Sequence, residues 1–346
     1  MDDSAFMRKL ISEFVSTHPK MEVVGTARNG LDALTKLENI QADIITLDVE
    51  MPVMDGIQTL KELIKKDRYE MIMLSSVTKT GAEQTIEAME NGAFDFISKP
   101  SGAISLDLHI IRDTLCESII AAYQKTKRKQ TKNKLQTRPL KRNKKKIFLG
   151  SYDLVVIGTS TGGPKALQEV LPTIPKAFRS PIIIVQHMPA GYTNTLAKRL
   201  NQMCRITVKE AEDGDILENG VAYIAPGGKH LEIIEVENRK KIIKLIDKKS
   251  KMGLCPSIDI TLESIAKLKK CNVLTVIMTG MGNDGTKGLK QLRKKQSIFT
   301  IAESEETAVV FGMPRAAIRA GVIDEIYPLY EIGSKLIQQV NVMKGE

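Results

Sequence analysis

Leu154-Val155-Val156-Ile157 runs directly into Gly158-Thr159-Ser160-Thr161-Gly162-Gly163-Pro164, an apolar segment that stops in a glycine-rich turn before a helical period begins. A strand that ends this way opens a strand–turn–helix unit of an α/β fold. Toward the C-terminus, apolar strands are predicted at Ile182–Gln186, Val273–Met278 and Ile298–Ile301, with helices after most of them. Between 221 and 246, three runs of strand character are separated by Pro226-Gly227-Gly228 and Glu237-Asn238-Arg239. They read as hairpin strands, an antiparallel addition to an otherwise parallel sheet.

Residues 1–124 alternate in the same way. Phe6, Met7, Leu10, Ile11, Phe14 and Val15 repeat at helical spacing and predict an amphipathic helix over 4–17. Apolar runs at Glu22–Ala27, Asp43–Leu47, Met71–Ser75 and Ala93–Ile97 predict strands, with helix-period stretches near 30–38, 57–66, 80–91 and 104–124. The fold class is α/β: two doubly wound, mostly parallel-sheet domains, 1–124 and 150–346, joined by residues 125–149. Such sheets bind ligands beyond the carboxyl ends of their strands.

Of 346 residues, 51 are Lys or Arg and 41 are Asp or Glu, a net charge of +10. That balance points to nucleic acid until the charge is located. Residues 125–146 hold twelve Lys/Arg and no acid, which leaves 39 basic against 41 acidic residues elsewhere. The segment lacks apolar periodicity and reads as a solvated linker, with its start possible as a continuation of the preceding helix. A DNA-binding output is disfavoured, because 150–346 shows no helix-turn-helix pattern. No apolar run approaches the roughly 18–20 residues of a membrane span. The opening Met1-Asp2-Asp3 is no signal peptide. The four scattered cysteines form no CxxC pair and read as buried reduced thiols. Together these features predict a cytoplasmic protein that is neither membrane-inserted nor a nucleic-acid binder.

The Gly158–Gly163 turn exposes backbone N–H groups at a helix N-terminus. It matches neither GxGxxG nor GxxxxGK[ST], so a nucleotide site is poorly supported. Ser160 is then a helix cap or a nucleophile lifted into a cleft. A nucleophile needs a base, and the chain has four histidines. His187 ends a strand that is expected beside the one leading to Ser160, which favours it over His230. His18 and His109 belong to the other domain. Asp284, in Thr279-Gly280-Met281-Gly282-Asn283-Asp284-Gly285, lies in another strand-to-helix loop, as a helix cap or as the carboxylate that orients the imidazole. The order Ser…His…Asp and the lack of GxSxG argue against the α/β-hydrolase superfamily.

In the first half, Asp2-Asp3 precede the first helix, Asp48 ends a strand, Ser75 ends the next, and Lys99 follows the last. Singly each is an ordinary loop residue or cap. In a parallel sheet they converge on one edge, where clustered carboxylates require a hard cation such as Mg²⁺. In this order they resemble the response-regulator receiver domain, a flavodoxin-like fold, over residues 1 to about 120. The resemblance implies Asp48 as phosphoacceptor and Ser75 and Lys99 as the phosphate-sensing pair. It implies Asp2, Asp3, Asp48 and the main chain of Glu50 as the Mg²⁺ ligands. Receivers lead into the acidic pair with a hydrophobic strand, whereas here Met1 directly precedes Asp2. The expectation is a missing central strand and two exposed strand edges, so that either this receiver is structurally compromised or, the favoured reading, the true start codon lies about eight residues upstream.

Behind this half, the Gly158–Pro164 turn, Val185-Gln186-His187-Met188-Pro189, Ala225-Pro226-Gly227-Gly228-Lys229-His230 and Met278–Gly285 resemble the CheB family of chemotaxis protein-glutamate methylesterases. The resemblance implies a Rossmann-like catalytic domain with Ser160 as nucleophile, His187 as general base and Asp284 as its orienting partner. Main-chain N–H near Met281 would bind the oxyanion, and Thr161 would assist positioning. It further implies hydrolysis of glutamate γ-methyl esters and deamidation of glutamines on methyl-accepting chemotaxis receptors, with no cofactor in the catalytic domain. The receiver would cover the catalytic cleft until a chemotaxis histidine kinase supplies the phosphoryl group. A monomer is expected.

Overall fold

A computed structural model describes residues 1–76, 78–99, 108–132, 152–247 and 254–340. The chain divides into two compact units, Met1–Arg138 and Pro139–Glu346. Among the described residues, no helix is long and apolar enough to cross a membrane.

The first unit contains α1 (Ala5–Ser16), α2 (Gly30–Lys36), β1 (Ile44–Asp48), α3 (Gly56–Ile64), β2 (Glu70–Ser75), α4 (Lys79–Glu90), β3 (Asp95–Ser98) and α5 (Leu108–Lys132). The three strands form a parallel sheet in the order β1-β2-β3. Their register places Asp48 opposite Leu74, and Ser75 opposite Ser98. Leu47, Leu60, Leu63, Ile72 and Met73 are fully buried between sheet and helices. Local signals set the helix starts. The Ser4 hydroxyl accepts from Met7 N–H to cap α1, and the Asp55 carboxylate accepts from Gln58 N–H to cap α3.

One predicted strand needs correcting. Glu22–Ala27 forms no ladder, despite its apolar run. A strand requires a hydrogen-bonded neighbour, and among the described residues that position is filled only at its end. The Met1 amine donates to Thr46 O (2.7 Å), Met1 O accepts from Asp48 N–H (3.0 Å), and Asp2 N–H donates to Ala27 O (3.2 Å). A cavity of about 670 Å³ adjoins the segment, lined by Ile11, Val23, Gly25, Ile44 and Ile119, among others. The basic segment is helical at its start, because α5 continues to Lys132 through good helix formers and Lys125 pairs with Glu70 at 2.9 Å. Residues 133–149 of the predicted linker, 104–107 of the predicted helix and Pro100 lie outside the described residues.

The second unit contains β4 (Leu154–Thr159), α6 (Gly163–Val170), β5 (Ile182–Gln186), α7 (Tyr192–Met203), β6 (Thr207–Glu210), β7 (Val221–Ile224), β8 (His230–Glu235), β9 (Lys241–Ile246), α8 (Ile258–Ile265), β10 (Asn272–Ile277), α9 (Thr286–Lys295), β11 (Ser297–Glu303), α10 (Met313–Arg319), β12 (Glu325–Tyr327) and α11 (Leu329–Val340). Seven strands form one sheet in the order β12-β11-β10-β4-β5-β7-β6, and every pairing is parallel. The central strands are apolar on both faces: Val155, Val156, Ile157, Ile183, Ile184, Val185, Val273, Leu274 and Val276 are fully buried. Helices cover both sides, as that burial requires.

Strands β8 and β9 form the antiparallel hairpin and a separate two-stranded sheet. Val221–Ile224, read as part of that hairpin, instead joins the main sheet in parallel between β5 and β6. Strands β6 and β12 escape a periodicity reading because they have only four and three residues. Of the cysteines, Cys116 and Cys271 are buried, whereas Cys204 and Cys255 are half-buried; all four are free thiols. The connections leave β4 toward β5 on one side and return through β10 on the other. This reversal of strand order opens a crevice at the carboxyl end of β4.

Candidate functional site

Three loops meet at that crevice. His187 N–H donates to Thr159 O (3.1 Å), extending the β4–β5 ladder by one step, and Ser160 N–H donates to Thr279 O (3.0 Å) beyond β10. Ser160 therefore sits between the strand ends that carry His187 and the 279–285 loop. It is not a helix cap: Gly162, at φ 77°, occupies that position before α6. A Cβ on Gly162 would lie 2.7 Å from the Val309 Cβ, so both the backbone angle and the packing call for glycine.

Asp284 is not a cap either, since Gly285 fills that role for α9. Its buried carboxylate instead accepts from His187 Nε2 (Oδ2, 2.8 Å), Ile258 N–H (Oδ2, 2.7 Å), Ser257 Oγ (Oδ1, 3.0 Å) and Asp259 N–H (Oδ1, 3.1 Å). Burial pushes the Asp284 pKa up. The His187 bond and charge and the two main-chain donors outweigh burial and hold the carboxyl below its ordinary value. The N-terminus of α8 faces this anion, which its dipole favours. With Nε2 donating to the carboxylate, Nδ1 carries the lone pair of the neutral ring.

Two further predicted residues lie alongside. Thr161 is buried, and its carbonyl accepts from the Thr279 hydroxyl (2.9 Å). Met281 is half-buried in the loop beyond β10. That loop is pinned by Gly280 N–H to Val310 O (3.0 Å) and by Gly312 and Met313 N–H to Gly280 O (3.1 and 2.8 Å). A Cβ on Gly280 would come within 2.8 Å of Ser160 Cβ, which shows how closely this loop approaches the serine. His230 lies behind the site: fully buried, it accepts through Nδ1 from Ser257 N–H (3.1 Å). It thus supports Asp284 through Ser257.

Sequence reading missed Ser257, Gln186 and Glu303, whose roles depend on tertiary neighbours. Fully buried Glu303 accepts from Thr279 N–H (2.7 Å) and the Thr307 hydroxyl (2.9 Å), beneath the loop that holds Ser160. Burial raises its pKa to about 7, against the effect of those two donors. A carboxyl raised in this way stabilises the fold fully below its unfolded value, about 4.5, and that stabilisation is lost as pH rises through about 7. Glu303→Gln removes the titration and keeps an acceptor. The variant is therefore expected to exceed the parent in unfolding free energy by about 3 kcal/mol at pH 8 and to match it at pH 4. Denaturant unfolding at the two pH values checks this.

In the first unit, Asp2, Asp3 and Asp48 each offer an oxygen within 4.8 Å of the others. The Lys99 ammonium lies 2.9 Å from Asp2 Oδ2 and 2.6 Å from Asp48 Oδ2. Burial raises the Asp48 pKa to about 6; Lys99 opposes the rise and the Asp2 charge adds to it. Glu50 N–H donates to Asp48 Oδ1 (3.3 Å). The Ser75 hydroxyl, on the adjacent strand end, is engaged with α4: it donates to Gly81 O (3.2 Å) and accepts from Thr85 Oγ1 (2.7 Å). The all-oxygen donor set and its surplus of carboxylates over the single ammonium fit Mg²⁺.

A receiver-like sheet with this acidic cluster, followed by a parallel sheet whose carboxyl edge carries serine, histidine and aspartate, defines a response regulator with a hydrolase output unit. The family model for the response regulator receiver domain matches residues 1–111, and that for CheB methylesterase matches 155–336. Relatives named protein-glutamate methylesterase/protein-glutamine glutaminase include one from Halalkalibacterium halodurans, 51% identical over 98% of this chain and 96% of its own. Another, from Bacillus subtilis, is 47% identical over 97% of this chain and 96% of its own. The crystal structure of the Thermotoga maritima CheB methylesterase catalytic domain matches with a TM-score of 0.52 and 44% identity, over 55% of this chain and 99% of that one. The chain belongs to the CheB methylesterase family.

Proposed function

We propose that this protein hydrolyses glutamate γ-methyl esters on methyl-accepting chemotaxis receptors in the cytoplasm, and that phosphorylation of Asp48 controls the rate. The observation that carries the reading is the buried His187–Asp284 pair, 2.8 Å apart, on the sheet edge that also carries Ser160. Ser160 Oγ attacks the ester carbonyl while His187 Nδ1 takes its proton. Asp284 fixes the tautomer with hydrogen on Nε2 and stabilises the imidazolium. Main-chain N–H around Met281 donates to the developing oxyanion, and Thr161 holds the turn. His187 returns the proton to the departing methoxide, methanol leaves, and water hydrolyses the acyl-enzyme. With a glutamine substrate the same cycle releases ammonia, so deamidation follows from the same groups.

In the receiver, Asp48 accepts the phosphoryl group from a histidine kinase. Asp2, Asp3, Asp48 and the main chain of Glu50 would hold Mg²⁺, which supplies charge neutralisation at the phosphoryl oxygens. Lys99 pairs with the new phosphate, and Ser75 turns from Gly81 O to bind it. Phosphorylation then relieves inhibition of the hydrolase unit.

The test is methanol release from methylated receptor fragments, with and without a small-molecule phosphodonor. The donor is expected to raise the rate about tenfold, within the usual range of allosteric coupling. Asp48→Asn is expected to retain the basal rate and to lose the stimulation. Equal rates in the parent protein with and without donor would contradict control through Asp48.

A further inference from the structure

Gln186 is the last residue of β5 and immediately precedes His187. Its side chain is buried, and Nε2 donates both to Ser160 O (3.1 Å) and to His187 O (2.9 Å). One carboxamide thus bridges the main chains of the serine and the histidine. The amide orientation is forced, because the reverse would set Oε1 against two carbonyl oxygens. In the observed orientation Oε1 is buried and has no hydrogen-bond partner among the described residues. An orphaned acceptor of this kind costs about 1–3 kcal/mol, which an apolar side chain of similar length would avoid. The two donated bonds, each contributing about 0.5–1.5 kcal/mol, are offset by this orphan, so stability alone does not account for a glutamine here.

Gly163 admits the group. A Cβ at Gly163 would fall 2.0 Å from Gln186 Oε1 and 2.4 Å from Thr159 Oγ1. The turn after β4 is thus built around the carboxamide. The ladder bond from His187 N–H to Thr159 O fixes the two strand ends, but Ser160 is already beyond the ladder. The Gln186 bridge extends the constraint across that step.

We infer that Gln186 is a positioning residue, which sets the separation of Ser160 and His187 by binding their two carbonyls with one amide. The inference rests on Ser160 and His187 being nucleophile and base, so Ser160→Ala is assayed in parallel. In the full chain, Gln186→Met keeps length and burial but removes both donors, and Gln186→Glu replaces the donors by an acceptor. For Gln186→Met, kcat of methanol release is expected to fall about 10- to 100-fold, the scale of a small misplacement of reacting groups, with KM within about twofold and no loss of melting temperature. Gln186→Glu is expected to fall further at pH 8. A Gln186→Met enzyme with kcat within about twofold of the parent would overturn the inference. So would a fall in kcat matched by the loss of folded protein, or a Gln186→Glu enzyme faster than Gln186→Met. An active Ser160→Ala enzyme would instead remove the catalytic reading on which the inference stands, whatever Gln186 does.

Discussion

Ser160→Ala is expected to lower methanol release by roughly 10⁴- to 10⁶-fold, as in serine enzymes whose nucleophile acts as one unit with its base. The magnitude follows from position. Ser160 is held by its own N–H on Thr279 O and by its carbonyl, which accepts from Gly163 N–H (2.7 Å) and Gln186 Nε2 (3.1 Å). Removing one oxygen therefore leaves the turn in place and removes only the attacking atom. Phosphorylation of Asp48 should be unaffected, because Asp48 belongs to the other compact unit. Methanol release and phosphoaspartate formation, measured on the same preparation, check both halves of the expectation.

Asp284→Asn is expected to lower kcat by about 10⁴-fold, the scale seen when an orienting carboxylate becomes an amide. The hydrogen-bond inventory makes the loss severe. Asp284 accepts from four donors: His187 Nε2, Ile258 N–H, Ser257 Oγ and Asp259 N–H. An asparagine offers one oxygen, so its NH₂ must face donors that it cannot satisfy. If the amide nitrogen turns to His187, it selects the tautomer with hydrogen on Nδ1, which leaves no base for Ser160. The melting temperature should fall as well. A variant with the parental kcat would show that Asp284 is structural.

Much of this is legible in the sequence. Strand–turn–helix patterns at 154–164 and 273–285 predict the parallel sheet, and residues at strand ends in such a sheet share an edge. That logic brings Ser160, His187 and Asp284 together, and likewise Asp2, Asp3, Asp48 and Lys99. Local sequence could not decide whether Ser160 and Asp284 cap helices. The structure decides it, because Gly162 and Gly285 occupy the cap positions.

Other features depend on what lies across space. Gln186 reads as one more residue of an apolar strand, and its importance appears only when Ser160 O and His187 O fall within reach of one amide. Ser257 and the first N–H groups of α8 reach Asp284 across 25 to 27 residues of chain. Glu22–Ala27 has the composition of a strand, but pairing requires a neighbour, and among the described residues only Met1 and Asp2 occupy that place. Val221–Ile224 precedes Pro226-Gly227-Gly228, which reads as a hairpin turn. There the chain instead leaves the main sheet for a separate one.

The central claim is that the reaction passes through an ester on Ser160. The most direct measurement is peptide mass mapping after rapid acid quenching of the protein mixed with a methylated receptor peptide. The account predicts a γ-glutamyl adduct on the peptide containing Ser160, absent from Ser160→Ala and formed as methanol appears. Methanol release with the adduct on another residue, or with the Ser160 peptide unmodified throughout turnover, would contradict it.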